Sequence, residues 1–237
     1  MQKRSLILIL VGLVPGMAQA LDWREGEWKG HADLGYSAAN GNSESENLNA
    51  ALGLVYSIGV WKHSLEFAAF REENEGSLNA ERYQTQAKSK YALSDVSYVF
   101  GALIYEFDEF GGVRERSSET LGYGRQLWLT DIHSLEAELG LGARQSEMQD
   151  GMEEDEAIVR AGLTYHRHLS ESASFNQGLL VEAGDSNTYV ESISALKLSI
   201  VGNLFAKLGY TIKYNDTVPA GVETTDTYTN VNLSYEF

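Results

Sequence analysis

Between Glu27 and Phe237 the chain keeps returning to one rhythm: apolar and polar residues alternate, stop at a turn, and start again. "NLNAALGLVYS" sets Leu48, Ala50, Leu52, Leu54 and Tyr56 on one side. "HSLEAELGLGAR" does the same with Leu135, Ala137, Leu139, Leu141 and Ala143, leaving Glu136, Glu138 and Arg144 opposite. "NLFAKLGYTIKY" sets Leu204, Ala206, Leu208, Tyr210, Ile212 and Tyr214 against Lys207 and Lys213. A period of two belongs to a strand with unlike faces. A helix would need apolar residues three and four apart, and these segments do not supply them.

About twelve such segments follow one another, each about 10 to 14 residues long. They lie near 27–38, 45–57, 60–72, 80–92, 97–109, 115–127, 132–144, 155–168, 173–184, 187–200, 203–214 and 224–237. Strands of soluble domains are about half that length. The joins alternate in character. Ser57-Ile58-Gly59, Ser94-Asp95, Thr130-Asp131, Ser170-Glu171-Ser172 and Gly202-Asn203 are tight. "REENEGSLNAE", "DEFGGVRER", "RQSEMQDGMEEDE" and "NDTVPAGVETTD" read as longer, acidic loops, and "AANGNSE" carries an Asn-Gly turn signal. Long loops on one rim and short turns on the other predict a single closed antiparallel transmembrane β-barrel, an up-and-down meander of about twelve strands. An even count returns both chain ends to the short-turn rim.

Alternation alone does not say which face is inside, so a soluble barrel or sandwich is the competing reading. Twelve strands enclose more space than side chains fill in an eight-stranded barrel, so an all-apolar interior would leave voids. The polar face mixes glycines with both signs of charge, which suits a wet lumen. The aromatics of the apolar face gather at strand ends: Trp28, Tyr56, Trp61, Tyr91, Tyr165, Phe175 and Tyr235 toward the short-turn rim, and Tyr36, Tyr83, Tyr105, Phe107, Tyr123 and Tyr214 toward the other. Two rings of amphipathic aromatics with aliphatics between them form the girdles of a membrane barrel. The apolar face is therefore assigned to lipid.

The ends agree. "MQKRSLILILVGLVPGMAQA" has Lys3 and Arg4, an apolar run from Leu6 to Val14, and Ala18-Gln19-Ala20, the order of a secretory signal peptide. Residues 1–20 are expected to be cleaved, leaving 21–237 as the outer-membrane barrel. The closing stretch "TNVNLSYEF" places Val231, Leu233, Tyr235 and Phe237 on one face. That alternation ending on an aromatic reads as the signal such barrels present to their insertion machinery. The chain has no cysteine, so disulfides and thiolate metal sites are excluded. Its net charge of −16 becomes −18 without Lys3 and Arg4, which excludes nucleic acid as a partner. The partners expected are outer-membrane lipid and lipopolysaccharide, with small ions or solutes inside.

Three stretches carry a family likeness: "WKGHADLGYSAANGNSESENLNA", "RERSSETLGYGRQL" and "YNDTVPAGVETTDTYTNVNLSYEF". With them the sequence resembles the salt-induced outer-membrane protein family, a domain of unknown function in Gram-negative bacteria, most specifically at the "GNS" turn and "GYGRQ". The resemblance implies an outer-membrane barrel and, by name, a link to salt stress. It implies no catalytic residue, substrate or cofactor.

Candidate chemistry is sparse. An outer-membrane hydrolase needs a nucleophile, a base and an orienting group. Of the histidines, His31 and His166 fall on the polar face and His63 and His133 near the short-turn rim, with His168 completing the set. His63 faces lipid at the rim away from the outer leaflet, so no catalytic set is assigned. "EMQDGMEEDE" lacks the oxygen spacing of a calcium loop and is read as a solvated acidic loop. The lumen carries the functional expectation. Glu66, Lys88, Lys90, Glu136, Glu138, Arg160, Glu182, Glu191, Lys197, Lys207 and Lys213 are expected to line it, joined by the inward apolar residues Phe70, Phe100, Ile104, Ile158 and Phe205. Unpaired, these charges need a water-filled channel. Paired, they brace a largely closed interior. The first implies a porin-like, weakly cation-preferring passive channel, and the second a non-conducting envelope barrel that acts through its surface.

Overall fold

A computed structural model describes residues 26–39 and 45–237. The expected signal peptide lies outside the described residues. The twelve strands are β1 (Glu27–Ala39), β2 (Ser45–Ile58), β3 (Trp61–Asn74), β4 (Ser77–Ser94), β5 (Ser97–Asp108), β6 (Val113–Leu129), β7 (His133–Met148), β8 (Glu153–Ser170), β9 (Ala173–Ala183), β10 (Thr188–Val201), β11 (Leu204–Asn215) and β12 (Thr225–Glu236). Each pairs antiparallel with its neighbour in sequence, and β12 returns to β1, closing the barrel. Closure pairs β1 with β12 from His31↔Glu236 to Leu34↔Leu233, covering there the strand edges that hydrocarbon would penalise. Of the described residues, no helix is long and apolar enough to cross a membrane.

The alternation resolves into two walls. Leu121, Leu139, Leu141 and Val231 point outward, and Leu121 is 75 % exposed, on the face that a membrane barrel turns to lipid. The side chains that are buried instead include Arg144, Glu182 and Ser234. Aromatic pairs belt the rim that carries the chain ends: Trp28 stacks on Tyr56 at 4.5 Å and Trp61 meets Tyr91 edge-on at 4.9 Å. At the far rim Tyr83 and Phe107 stand 6.4 Å apart. Tyr123 departs from the expected sorting. It pairs with Val99, two residues from the start of β5, and so belongs to the chain-end belt.

The far rim corrects the expectation of long loops. β3 and β4 run on to Asn74 and Ser77, joined by Glu75 and Gly76 alone, both with positive φ (52° and 73°). Two left-handed residues make the tight turn whose twist matches a hairpin. β7 and β8 likewise reach Met148 and Glu153, so most of "EMQDGMEEDE" is strand. Beyond the bilayer neither face has to be apolar. The backbone ladder continues there while the alternation that marks it disappears. Asp216–Thr224 remains the longest described loop, and it crosses the mouth. A Cβ on Gly112, between β5 and β6, would sit 2.9 Å from Val222 and 3.5 Å from Val218 of that loop. Asp216 fixes its base by accepting from the Thr188 amide at 2.7 Å, which holds its carboxyl below the usual carboxylate range.

Candidate functional site: the lumen

Every candidate lumen residue stands on the inner wall, and nearly all find an opposite charge. Three groups form, mixing partners on adjoining strands, such as Arg144 with Glu156 and Arg160 with Glu182, with partners on strands that are not neighbours. In the first, Lys88 on β4 reaches Glu138 on β7 at 2.7 Å, and Lys90 reaches Glu136 at 2.5 Å. These spans pass over β5 and β6, and the sequence shows what makes room. Gly122 and Gly124 of "GYGRQ" carry no side chain, so the Phe100 and Tyr98 rings of β5 lie down over them. A Cβ on Gly122 would stand 2.6 Å from the Phe100 ring, and one on Gly124 would enter the Tyr98 ring. The Tyr98 hydroxyl then donates to Glu138 at 2.9 Å, and the Lys90 ammonium lies over its ring at 4.3 Å. Overpacking of this kind costs about 1–3 kcal/mol. Gly124→Ala is therefore expected to lower the unfolding free energy by that amount, read from urea titration of the folded, heat-modifiable gel band.

The second group sits nearer the far rim. Arg144, fully buried, bonds Glu156 at 2.5 Å and donates to the Glu182 and Asn187 carbonyls. Glu182 in turn accepts from Arg160 at 3.1 Å and from Ser118 at 3.3 Å. The third group crosses the bore. Lys213 on β11 pairs with Glu106 on β5, six strands away around the ring, and with Glu191 at 3.6 Å. Arg82 bridges Asp108 and the Tyr228 hydroxyl of β12, and Arg116 on β6 donates to Asn215 on β11 at 2.6 Å. Sequence reading did not single out Glu106, Asp108, Arg82 or Arg116. Arg82 and Asp108 are ladder partners on adjoining strands, but the bonds of Glu106 to Lys213, Arg82 to Tyr228 and Arg116 to Asn215 depend on which strands face each other across a closed ring, and alternation does not encode that.

Toward the chain-end rim the pairing is looser. Lys207 holds Asp33 at 2.7 Å, Lys197 holds Glu236 at 2.5 Å, and Glu66 stands 3.8 Å from His31. His63 points outward, bonded to Ser89 at 2.8 Å and stacked on Trp61. His166 bonds Asn176 at 2.7 Å and meets His168 at 3.2 Å. Among the described residues no three of His, Asp or Glu converge on a metal position.

These groups divide the bore in two. β5 to β9 fill their side with Tyr98, Phe100, Ile158, Arg144 and Arg160, all buried. The inner faces of β1–β3, β11 and β12 carry Ser37, Asn49, Ala51, Ala68, Gly209 and Asn230, small or amide side chains that leave space. There, a cavity of about 180 Å³ is lined by Asn49, Thr211, Asn230 and Asn232 together with the charged Arg82, Glu191 and Lys213. Another of about 490 Å³ opens at the chain-end rim beside His31 and Glu236.

Comparison with known proteins places this geometry. Residues 32–237 match the family described as "Protein of unknown function, DUF481". The "Uncharacterized protein YdiY" of Escherichia coli (strain K12) is 31% identical over 209 residues, covering 88% of this chain and 82% of that one. Among solved structures, the NanC porin superposes with a TM-score of 0.55 at 10% identity, covering 87% of this chain and 98% of that one. An outer membrane channel from Pseudomonas putida F1 gives 0.53 at 12% identity, covering 95% and 100%. At those identities the likeness is one of fold, that of an outer-membrane barrel.

Proposed function

The chain belongs to the DUF481 family, and from that premise we propose that it is a small passive outer-membrane channel whose solutes move off-axis, along the β1–β3 and β11–β12 wall. The observation that carries the reading is the unequal filling of the bore: buried ion pairs and rings pack the β5–β9 side, while the other side keeps a cavity where Asn49, Thr211, Asn230 and Asn232 stand beside the charged Arg82, Glu191 and Lys213. The acidic strand ends and turns of the far rim, among them Glu109, Asp150, Glu153 and Asp185, bias the mouth toward cations. In planar bilayers the purified protein is expected to give conductance steps well below those of the 16–18-stranded porins, with a cation preference. An absence of steps above background in molar KCl would refute the channel.

The second reading is a non-conducting envelope barrel. It is favoured by the Lys213–Glu106 pair and by the Asp216–Thr224 loop, which both lie across the axis. A part in salt stress, suggested by resemblance to the salt-induced proteins, goes with either reading. Growth of a deletion strain at high salt tests it: growth equal to that of the parent would exclude that part.

A further inference from the structure

The closing seam is only half sewn. β1 and β12 pair from His31↔Glu236 to Leu34↔Leu233, extended by the two bonds between Gly30 and Phe237. Among the described residues the β1–β12 ladder ends there. The ladders on either side continue to the far rim, β1–β2 to Ala39↔Ser45 and β11–β12 to Tyr214↔Thr225. In the gap lies a cavity of about 420 Å³ lined by residues of both faces of the wall. Its outer lining is Tyr36, Thr227, Thr229 and Val231, which face away from the bore, and its inner lining includes Asn47, Asn49 and Asn230. Asn49, Phe70, Tyr228 and Asn230 also line the lumen cavity, so the two spaces adjoin. Phe70 and Tyr228 meet edge to face at 5.8 Å, and Arg82 stacks on Tyr228 at 4.0 Å, giving the inner side a fixed wall.

We propose that this gap is a lateral port between the lumen and the outer leaflet, and that it takes a single-chain amphiphile with an uncharged, hydroxyl-bearing head. The chemistry follows from the lining. Unpaired ladder groups exposed to hydrocarbon cost several kcal/mol each. A hydroxylated head can bond the N–H and C=O groups of β1 and β12 that no described residue pairs across the seam, and the amides behind them, while its acyl tail stays among Tyr36 and Val231. Glu72, the charged residue of the lining, opposes an anionic head. The inference rests on the channel reading for where the port leads, and it is tested separately.

The protein has no cysteine, so single thiols report cleanly. Asn49→Cys, Asn230→Cys and, as an inner-wall control distant from the gap, Ala195→Cys are reconstituted in vesicles with dodecyl maleimide dissolved in the bilayer. The two gap positions are expected to be alkylated about tenfold faster than Ala195→Cys, because reactivity of like thiols follows access. Monoacylglycerol in the vesicles should slow that labelling, and palmitate at the same mole fraction should not. Equal rates at all three positions would overturn the port. Equal slowing by both lipids would overturn the head-group choice. If a water-soluble charged maleimide labels Asn49→Cys and the bilayer-dissolved reagent does not, the axial channel stands and the port falls. Fast labelling from the bilayer by a protein that gives no conductance steps would support the port while refuting the channel.

Discussion

Replacing Lys213 by methionine should be among the most damaging single changes in this barrel. Its ammonium is buried between Glu106 and Glu191 and ties β11 to β5 across the bore. Removing one partner of a buried pair strands the other charge, at a cost of about 3–5 kcal/mol. Urea titration of K213M in vesicles, followed by the gel shift of the folded barrel, should show a loss of that size. The double variant Glu106→Gln with Lys213→Met removes both charges and should recover much of the stability, because an ion pair so buried contributes little over a neutral replacement. The same double variant takes away a tie that spans the lumen, so its conductance steps should exceed those of the wild type. A destabilised double variant with unchanged steps would show that the pair holds the wall together and does not narrow the path.

Glu182→Gln should match that loss of stability without touching conduction. Glu182 holds Arg160 at 3.1 Å, lies 4.0 Å from Arg144, and accepts from Ser118. Arg144 keeps Glu156, but neutralising Glu182 leaves the buried Arg160 guanidinium without its carboxylate, again a cost of about 3–5 kcal/mol. It sits on the filled side of the bore, away from Asn49 and Asn230, so the conductance of E182Q should remain that of the wild type. Together the two substitutions separate what stabilises the barrel from what limits its path.

The strand faces were legible because the bilayer imposes them. Leu48 to Tyr56 or Leu135 to Ala143 must present apolar atoms outward wherever lipid touches them, and that demand is written as a period of two. It ends where the lipid ends. The outer ends of β3, β4, β7 and β8 were therefore read as loops, although Asn74↔Ser77 and Ser146↔Glu154 are ladder pairs. The inner charges were legible as a face but not as partners. Lys88 and Glu138 are 50 residues apart and separated by two strands, and only the closed ring brings them together. The one local trace of that packing was "GYGRQ", where Gly122 and Gly124 leave the floor on which Tyr98 and Phe100 rest. The unequal filling of the bore was in principle visible too, since Ala51, Ala68 and Gly209 are small where Arg144 and Arg160 are large. It needed the strand order around the ring to become an observation. The half-sewn seam left no trace in the alternation, which runs through β1 and β12 unchanged.

The account depends on water and ions passing along the sparsely filled wall. Thr211 lines the cavity there, and Ser118 lies on the packed side beside Glu182. In a planar bilayer, adding a bulky water-soluble methanethiosulfonate to Thr211→Cys should sharply reduce the size of each conductance step, while Ser118→Cys should keep its steps unchanged. Steps that shrink only with Ser118→Cys, or steps that ignore the reagent at Thr211→Cys after labelling is verified by mass, would contradict it.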